Sequence, residues 1–136
     1  MPWTARPASS SRQMQQQWFL QPGPLTGELL ADNVVVEAPF ASPGRPARFE
    51  GKRQWLDFAN PQRAAFPVHI DTCRVLAIHD TTDPETIVVE YELSGSSAPT
   101  NRSGTAAFIA VLTARNGKIT RWREYQNTMA LRQAGP

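Results

Sequence analysis

The stretch Gly117-Lys118-Ile119-Thr120-Arg121-Trp122-Arg123-Glu124-Tyr125-Gln126-Asn127 decides how this chain is read. It leaves a tight turn at Asn116-Gly117 and reads as a strand. Alternate side chains of a strand share a face, so Trp122, Glu124 and Gln126 lie together. Ile119, Arg121, Arg123 and Tyr125 lie on the other face. A carboxylate between an aromatic ring and an amide suits the wall of a small-molecule pocket better than an ordinary strand surface. No other segment hints as directly at chemistry.

Working back from this strand, Asn-Gly is strong hairpin chemistry and pairs it with a long strand over Gly104–Ala114. Gly95–Asn101 is a Gly/Ser/Pro loop. Thr86–Ser94 is a further strand, with Ile87, Val89, Tyr91 and Leu93 on one face and Val88, Glu90, Glu92 and Ser94 on the other. Asp80–Pro84 is a turn and His69–Ile78 another strand. Upstream, Asn33–Glu37 is a short β-branched strand. Gly51–Ala59 is a helix with Trp55, Leu56 and Phe58 toward the core, ended by Asn60-Pro61. Arg12–Leu20, with Met14, Trp18 and Phe19 in a stripe, is an amphipathic helix, and Leu25–Leu30 a second short one. Helices followed by a meander of long strands make an α+β pattern.

At 136 residues the chain fits one domain: a tail over 1–11, a domain over 12–130 and a tail over 131–136. The formal net charge of +2, with its Lys and Arg scattered, gives no case for nucleic acid or an anionic membrane. No apolar run approaches the roughly 18 residues of a membrane span, and residues 1–11 lack the apolar core of a secretory signal. Cys73 is the only cysteine, which excludes an internal disulfide and points to a reducing cytoplasm. One cysteine and two histidines do not make a zinc motif. No metal or other cofactor is expected.

The order of elements and three local strings resemble the nuclear transport factor 2-like superfamily, in particular its SnoaL-like and ketosteroid-isomerase-like members. The strings are Leu29-Leu30-Ala31-Asp32-Asn33-Val34-Val35-Val36-Glu37-Ala38-Pro39, then Phe49-Glu50-Gly51-Lys52, then the run from Gly117 to Tyr125. Within the superfamily the chain is most similar to phenazine-biosynthesis proteins A and B. The motif Gly-Lys-Ile-x-Arg-x-Arg-Glu-aromatic-x-Asn stands at 117–127, Phe66-Pro67 follows Gly51-Lys52 at the family's distance, and Asp83-Pro84 precedes a Val-Glu strand. The resemblance implies a cone, a strongly curved antiparallel or mixed sheet wrapped around N-terminal helices with a central pocket. It also implies a homodimer joined through the sheet face and acid–base work on a cyclic intermediate. The family's functional glutamate carries over to Glu124. Its helix histidine would fall at Phe58, and the base of the ketosteroid isomerases at Ala38, so neither carries over.

Glu124 is therefore the leading catalytic candidate, since a carboxyl in an apolar cleft has a raised pKa suited to proton transfer. The alternative is a structural glutamate paired with Arg121 or Arg123. His69 could supply the complementary acid, while His79, beside the turn, reads as exposed. Tyr91 could donate to a developing oxyanion or simply fill the core. Trp122, Trp18, Trp55, Phe58, Phe40 and Gln126 are candidates for the substrate wall. Cys73 reads as a buried, inert thiol. Glu90 and Glu92 would lie on a dimer face, and Arg45, Arg48 and Arg53 on a solvated loop near the cavity mouth.

The function expected is a cofactor-free isomerisation, cyclisation, dehydration or condensation of a hydrophobic cyclic or polyketide-like small molecule. A non-catalytic ligand-binding or accessory protein of the same fold is the alternative. An association module using the sheet face, with a filled cavity, is a third reading.

Overall fold

The structure is a computed structural model that describes residues 27–65, 68–97 and 100–127. The expected helix over Arg12–Leu20, Trp18 within it, and both expected tails lie outside the described residues. Chain order is β1 (Leu30–Glu37), β2 (Arg48–Glu50), α1 (Lys52–Ala65), β3 (Val68–Asp80), β4 (Thr86–Ser97), β5 (Arg102–Arg115) and β6 (Lys118–Tyr125). The strands form one curved sheet in the order β2-β1-β6-β5-β4-β3. β1 and β6 run parallel, and every other pair is antiparallel. The α+β architecture with a mixed, curved sheet is the one expected.

The β5–β6 hairpin closes at Asn116 (φ 52°) and Gly117 (φ 76°). Two successive left-handed residues match the twist of the strands they join, which is why Asn-Gly suits this turn. Between β2 and α1, Gly51 has φ 98°. Its N–H donates to Val34 O at 2.8 Å, and its carbonyl accepts the Trp55 N–H at 3.2 Å. A single left-handed residue thus turns an edge strand directly into a helix, a conformation glycine adopts without a Cβ penalty.

One face of the sheet is mostly apolar. Leu30, Val34 and Val36 of β1, Phe49 of β2, Ile87, Val89 and Tyr91 of β4, Phe108, Ala110 and Leu112 of β5, and Ile119 and Trp122 of β6 are all buried, with Cys73 of β3. Each large side chain removed from water contributes roughly 1.5–3 kcal/mol. α1 covers the β1–β2 end of this inner face. Phe49 packs on Trp55 at 5.1 Å and on Phe58 at 4.7 Å between ring centroids.

Several elements differ from those expected. Leu25–Leu30 is not a helix where it is described: 27–29 form a turn and Leu30 opens β1. Arg48–Glu50, read as a loop, is a strand paired with β1. α1 continues through Pro61 to Ala65. Proline there forfeits the bond to the Asp57 carbonyl, yet the flanking turns hold. β4 runs on to Ser97, into the expected loop, because Gly95 and Ser96 keep pairing with Gly104 and Ser103. β6 ends at Tyr125, short of Asn127 at the end of the stretch read as a strand.

Strict alternation also fails at three bulges in the antiparallel pairs, and the parallel β1–β6 pairing shifts register between Leu30 and Val35. In β6, Thr113 pairs with Arg121 but Ala114 pairs with Ile119. The extra residue, Thr120, puts Ile119 on the inner face with Trp122, against the expected alternation. In β3 the register shifts between Ile70 and Thr72 and again between Val75 and Ala77. Each bulge moves every side chain beyond it to the opposite face.

Candidate active site

Glu124 reaches the inner face because it lies two residues beyond Trp122 on the same side of β6. Ala110 of β5 stands opposite it, and so small a neighbour leaves room for the carboxyl to project. One strand further, Tyr91 of β4 pairs with Phe108. The two rings stack with centroids 5.7 Å apart and an interplanar angle of 29°. This fixes the Tyr91 hydroxyl, which donates to Glu124 Oε1. Cys73 of β3 completes the group. It pairs across to Leu93, two residues from Tyr91 on the same face.

Glu124 as a residue keeps some surface, but its Oε2 is shut away from solvent and has no hydrogen-bond partner among the described residues. Burial pushes its pKa up to about 8, against the pull of the Tyr91 hydroxyl and then the Trp122 indole. No cation among the described residues offsets that burial, since Arg121 and Arg123 alternate to the outer face. The Cys73 thiol is pushed up to about 11, by burial first and by Glu124 second. Tyr91 is raised well above its ordinary value by burial, with Glu124 the next cause. All three groups are thus protonated at neutral pH. The carboxyl gives up its proton most readily, and its Oε2, shut away from solvent, is the oxygen without a partner among the described residues.

Sequence reading placed Glu124, Trp122 and Tyr91 near one another, and the structure brings these three together. The Tyr91 hydroxyl, however, expected to serve a ligand oxygen, is bonded to Glu124. Trp55 and Phe58 line the same inner face further along, reached from Trp122 through Val36, which pairs with both Trp122 and Phe49. The guanidinium of Arg45 sits 5.9 Å above the Phe58 ring. Gln126 is half-buried just past the end of β6.

His69 is not brought to this site. It pairs with Ser96 on the outer face, and its side chain is 81% exposed, 3.8 Å from Asp71. The bulge between Ile70 and Thr72 is the physical reason, because it separates His69 from the face that Cys73 occupies. Phe40 is also displaced. It is 58% exposed and packs edge-on against Tyr125 at 5.4 Å, on the side of β6 away from Glu124. His79 is on the outer face, 2.5 Å from Glu90, and Arg74 bonds Glu92 at 2.9 Å. Cys73 was missed as a site neighbour. Its type gave no signal, and two bulges in β3 hid its face.

Among the described residues, no three His, Cys, Asp or Glu side chains cluster to hold a metal ion. None of the described helices is long and apolar enough to cross a membrane.

Comparison with known proteins agrees with this fold. The family model for the SnoaL-like domain matches residues 24–122, taking in Tyr91 and Trp122 and stopping just short of Glu124. An uncharacterised protein of Bacillus subtilis, YesE, is 28% identical over 107 residues, which cover 79% of this chain and 71% of that one. An uncharacterised PhzA/B-like protein of Pseudomonas aeruginosa is 30% identical over 98 residues, covering 70% of this chain and 65% of that one. A crystal structure from Bacillus subtilis, provisionally named an isomerase, superposes with a TM-score of 0.81 at 24% identity. That alignment covers 98% of this chain and 95% of the other, and it establishes the shared fold.

Proposed function

The chain belongs to the SnoaL-like family of the nuclear transport factor 2-like superfamily, and on that premise we propose that it is a cofactor-free acid–base enzyme. Its substrate is a hydrophobic cyclic or polyketide-like small molecule, and its reaction an isomerisation, cyclisation, dehydration or condensation. One observation carries this reading: a carboxyl on the inner face with one oxygen held by Tyr91 and the other shut from solvent without a hydrogen-bond partner among the described residues. Around neutral pH a carboxyl with a pKa of about 8 is poised to give a proton to a carbonyl or leaving oxygen. Once ionised it is a stronger base than an ordinary glutamate and can take a proton from carbon beside a carbonyl. Moving one proton off one carbon and onto another needs no redox partner, and the carboxyl returns to its starting state.

In this reading Glu124 is the catalytic residue, Tyr91 positions it, and Trp122 and Phe108 wall the substrate. His69 takes no part. The outer sheet face serves as a homodimer contact, supported by Ile109, 42% exposed among the ion pairs of that face. An Ile109→Arg variant that sediments as a monomer while wild type sediments as a dimer is the expected result there.

The test of the chemistry is hydrogen–deuterium exchange at carbons beside the carbonyl. A panel of cyclic ketones and enones is incubated in D2O with wild type and with Glu124→Gln, and exchange is followed by NMR. Wild type is expected to exceed the buffer rate for at least one compound, and the variant to lose that gain. No gain for any compound, or equal rates in the two proteins, rules out the catalytic reading. Binding without exchange would favour the alternative, a ligand-binding protein of the same fold.

A further inference from the structure

The outer face of the sheet holds a pocket of about 390 Å³ near the β5–β6 hairpin, which the chemistry of Glu124 does not use. Its charges are divided between two sides. β6 supplies Arg121 and Arg123, and β5 supplies Arg115 and Thr113. On the β4 side stand Thr86 and, in the turn before it, Asp83. The registers fix this order, because Thr86 pairs with Thr113 and Thr113 with Arg121. Three arginines against one carboxylate make the lining net positive, and Glu37 and Glu85 beside it offset only part of that charge.

Arg121 Nε and Nη2 both reach a single oxygen, Glu37 Oε1, at 2.9 and 2.8 Å. Glu37 is shared with Arg48, so one carboxylate serves two guanidiniums. Arg115 meets Glu85 through Nε at 2.9 Å. Arg123 forms no ion pair among the described residues, and its guanidinium lies 5.9 Å from the centre of the Tyr125 ring. A guanidinium carries five N–H donors in a planar fork, so these contacts saturate none of the three. The Thr120 hydroxyl, also in the lining, is held only at 3.3 Å by the Thr113 carbonyl. Asp83 is better satisfied: Oδ1 accepts the Glu85 N–H at 2.9 Å and Oδ2 the Thr86 hydroxyl at 3.1 Å.

From this arrangement we propose that the outer-face pocket is a second ligand site, for a small hydroxylated phosphomonoester. Arg121, Arg123 and the Thr120 hydroxyl hold the phosphate on the β6 side, and Arg115 adds its charge. Arginine's fork matches the oxygens of a phosphate. The ligand's hydroxyls donate to Asp83 on the β4 side, two strand spacings or roughly 10 Å away. A bare ion would leave most of the volume empty, and the pocket falls in the range of about 300–1,000 Å³ typical of small-molecule sites. Val111 is the one apolar residue in the described lining, so the hydrophobic substrate proposed for the inner face does not suit it. Ile109, the proposed dimer contact, lies on the same strand beyond Val111 and outside the lining, so the site is complete within one chain.

Isothermal titration at pH 7.5 tests this. The probes are glycerol 1-phosphate, glucose 6-phosphate and adenosine 5′-monophosphate, each with its dephosphorylated partner, together with inorganic phosphate and glucuronate. At least one ester is expected to bind tenfold or more tighter than its dephosphorylated partner, inorganic phosphate and glucuronate, the worth of about one charge-assisted hydrogen bond. Arg121→Gln and Arg123→Gln should each weaken that ester about tenfold, and neither strands a carboxylate, since Glu37 keeps Arg48. Should a variant fail to fold, wild type still decides, because its affinity must fall at least tenfold from about 0.05 M to about 1 M NaCl. No binding by any ester, inorganic phosphate or glucuronate binding as tightly as the best ester, folded variants that bind as wild type does, or an affinity indifferent to salt overturns the proposal. Deuterium exchange and ester binding report on opposite faces of the sheet, so either reading can fail alone.

Discussion

The two faces of β6 hold carboxylates in opposite electrical states, and both states follow from neighbours rather than residue type. On the outer face Glu37 of β1 meets Arg121 at 2.8 Å and Arg48 at 3.0 Å. Burial pushes its pKa up, but the hydrogen bond and charge of Arg121, with Arg48 and Arg123, outweigh that and hold it below 4.5. On the inner face Glu124 has a phenol and an indole for company, and burial wins, to about 8. The single-residue alternation of a strand sends Arg121 and Arg123 one way and Trp122 and Glu124 the other. One strand therefore builds an ion-pair network on one side and a dry acid on the other. A dry acid is a poor stabiliser, and a cost of this kind is characteristic of functional sites.

The largest expected effect is on stability against pH. Glu124 has its pKa raised from 4.5 to about 8 in the fold, so the folded chain binds more protons than the unfolded one between those values. Its contribution is complete below pH 4.5 and is lost as pH rises through 8. The slope is about 1.4 kcal/mol per pH unit and the total on the order of 4–5 kcal/mol. Urea titrations from pH 4 to 9 should show this decline in wild type. Glu124→Gln should flatten it and should be the more stable protein at pH 9. An unchanged slope in the variant would mean that Glu124 is not a dry acid, and the contrast between the faces would fail.

Next in size is the deuterium exchange already described, where Glu124→Gln should lose about a hundredfold or more, the range general acid–base catalysis supplies. Tyr91→Phe should do less. It keeps the stacked ring and removes a donor that lowers the Glu124 pKa. The alkaline midpoint of the stability decline in urea titrations should therefore move up. The lost hydrogen bond should cost about 1–2 kcal/mol of stability. A midpoint that stays put would show that Tyr91 does not set the state of Glu124.

Much of this was legible in the residues. Asn116-Gly117 announced the hairpin, and the alternation of Ile87, Val89 and Tyr91 announced the inner face of β4. Trp122 and Glu124 were read onto one face correctly because no bulge separates them. Where a bulge intervenes, period-two reading gives the wrong face. It misplaced Ile119 behind Thr120, and it hid that His69 and Cys73 of one strand face opposite ways. Nothing in the residue types around 71 or 76 signals an extra residue, since bulges are fixed by the partner strand's register. Arg48–Glu50 escaped for a different reason: three residues are too few to show a period, and the strand exists because β1 offers an edge. The Tyr91–Glu124 bond reaches across β5, between strands β4 and β6, and could not be derived from local pattern.

The smallest expected effect comes from the outer face, and it sharpens the comparison because the sign of its pH dependence is reversed. Glu37 has a depressed pKa, so its contribution is present above 4.5 and lost as pH falls through its lower folded value. Both arginine partners are about half exposed, and water and salt screen such pairs to roughly 0–1 kcal/mol. Glu37→Gln should therefore lower stability at pH 7 by about 1 kcal/mol or less, and molar NaCl should erase most of the difference. The Glu124→Gln difference should survive the same salt, because mobile ions do not reach a carboxyl with a buried oxygen. A Glu37 effect as large and as salt-resistant as that of Glu124 would mean that the outer network is also sheltered. The most direct shelter for that face is the second subunit proposed to cover it. Repeating the Glu37→Gln measurement in the Ile109→Arg background then separates the causes: a large effect that shrinks on loss of the dimer belongs to the interface, and one that does not belongs to the sheet itself.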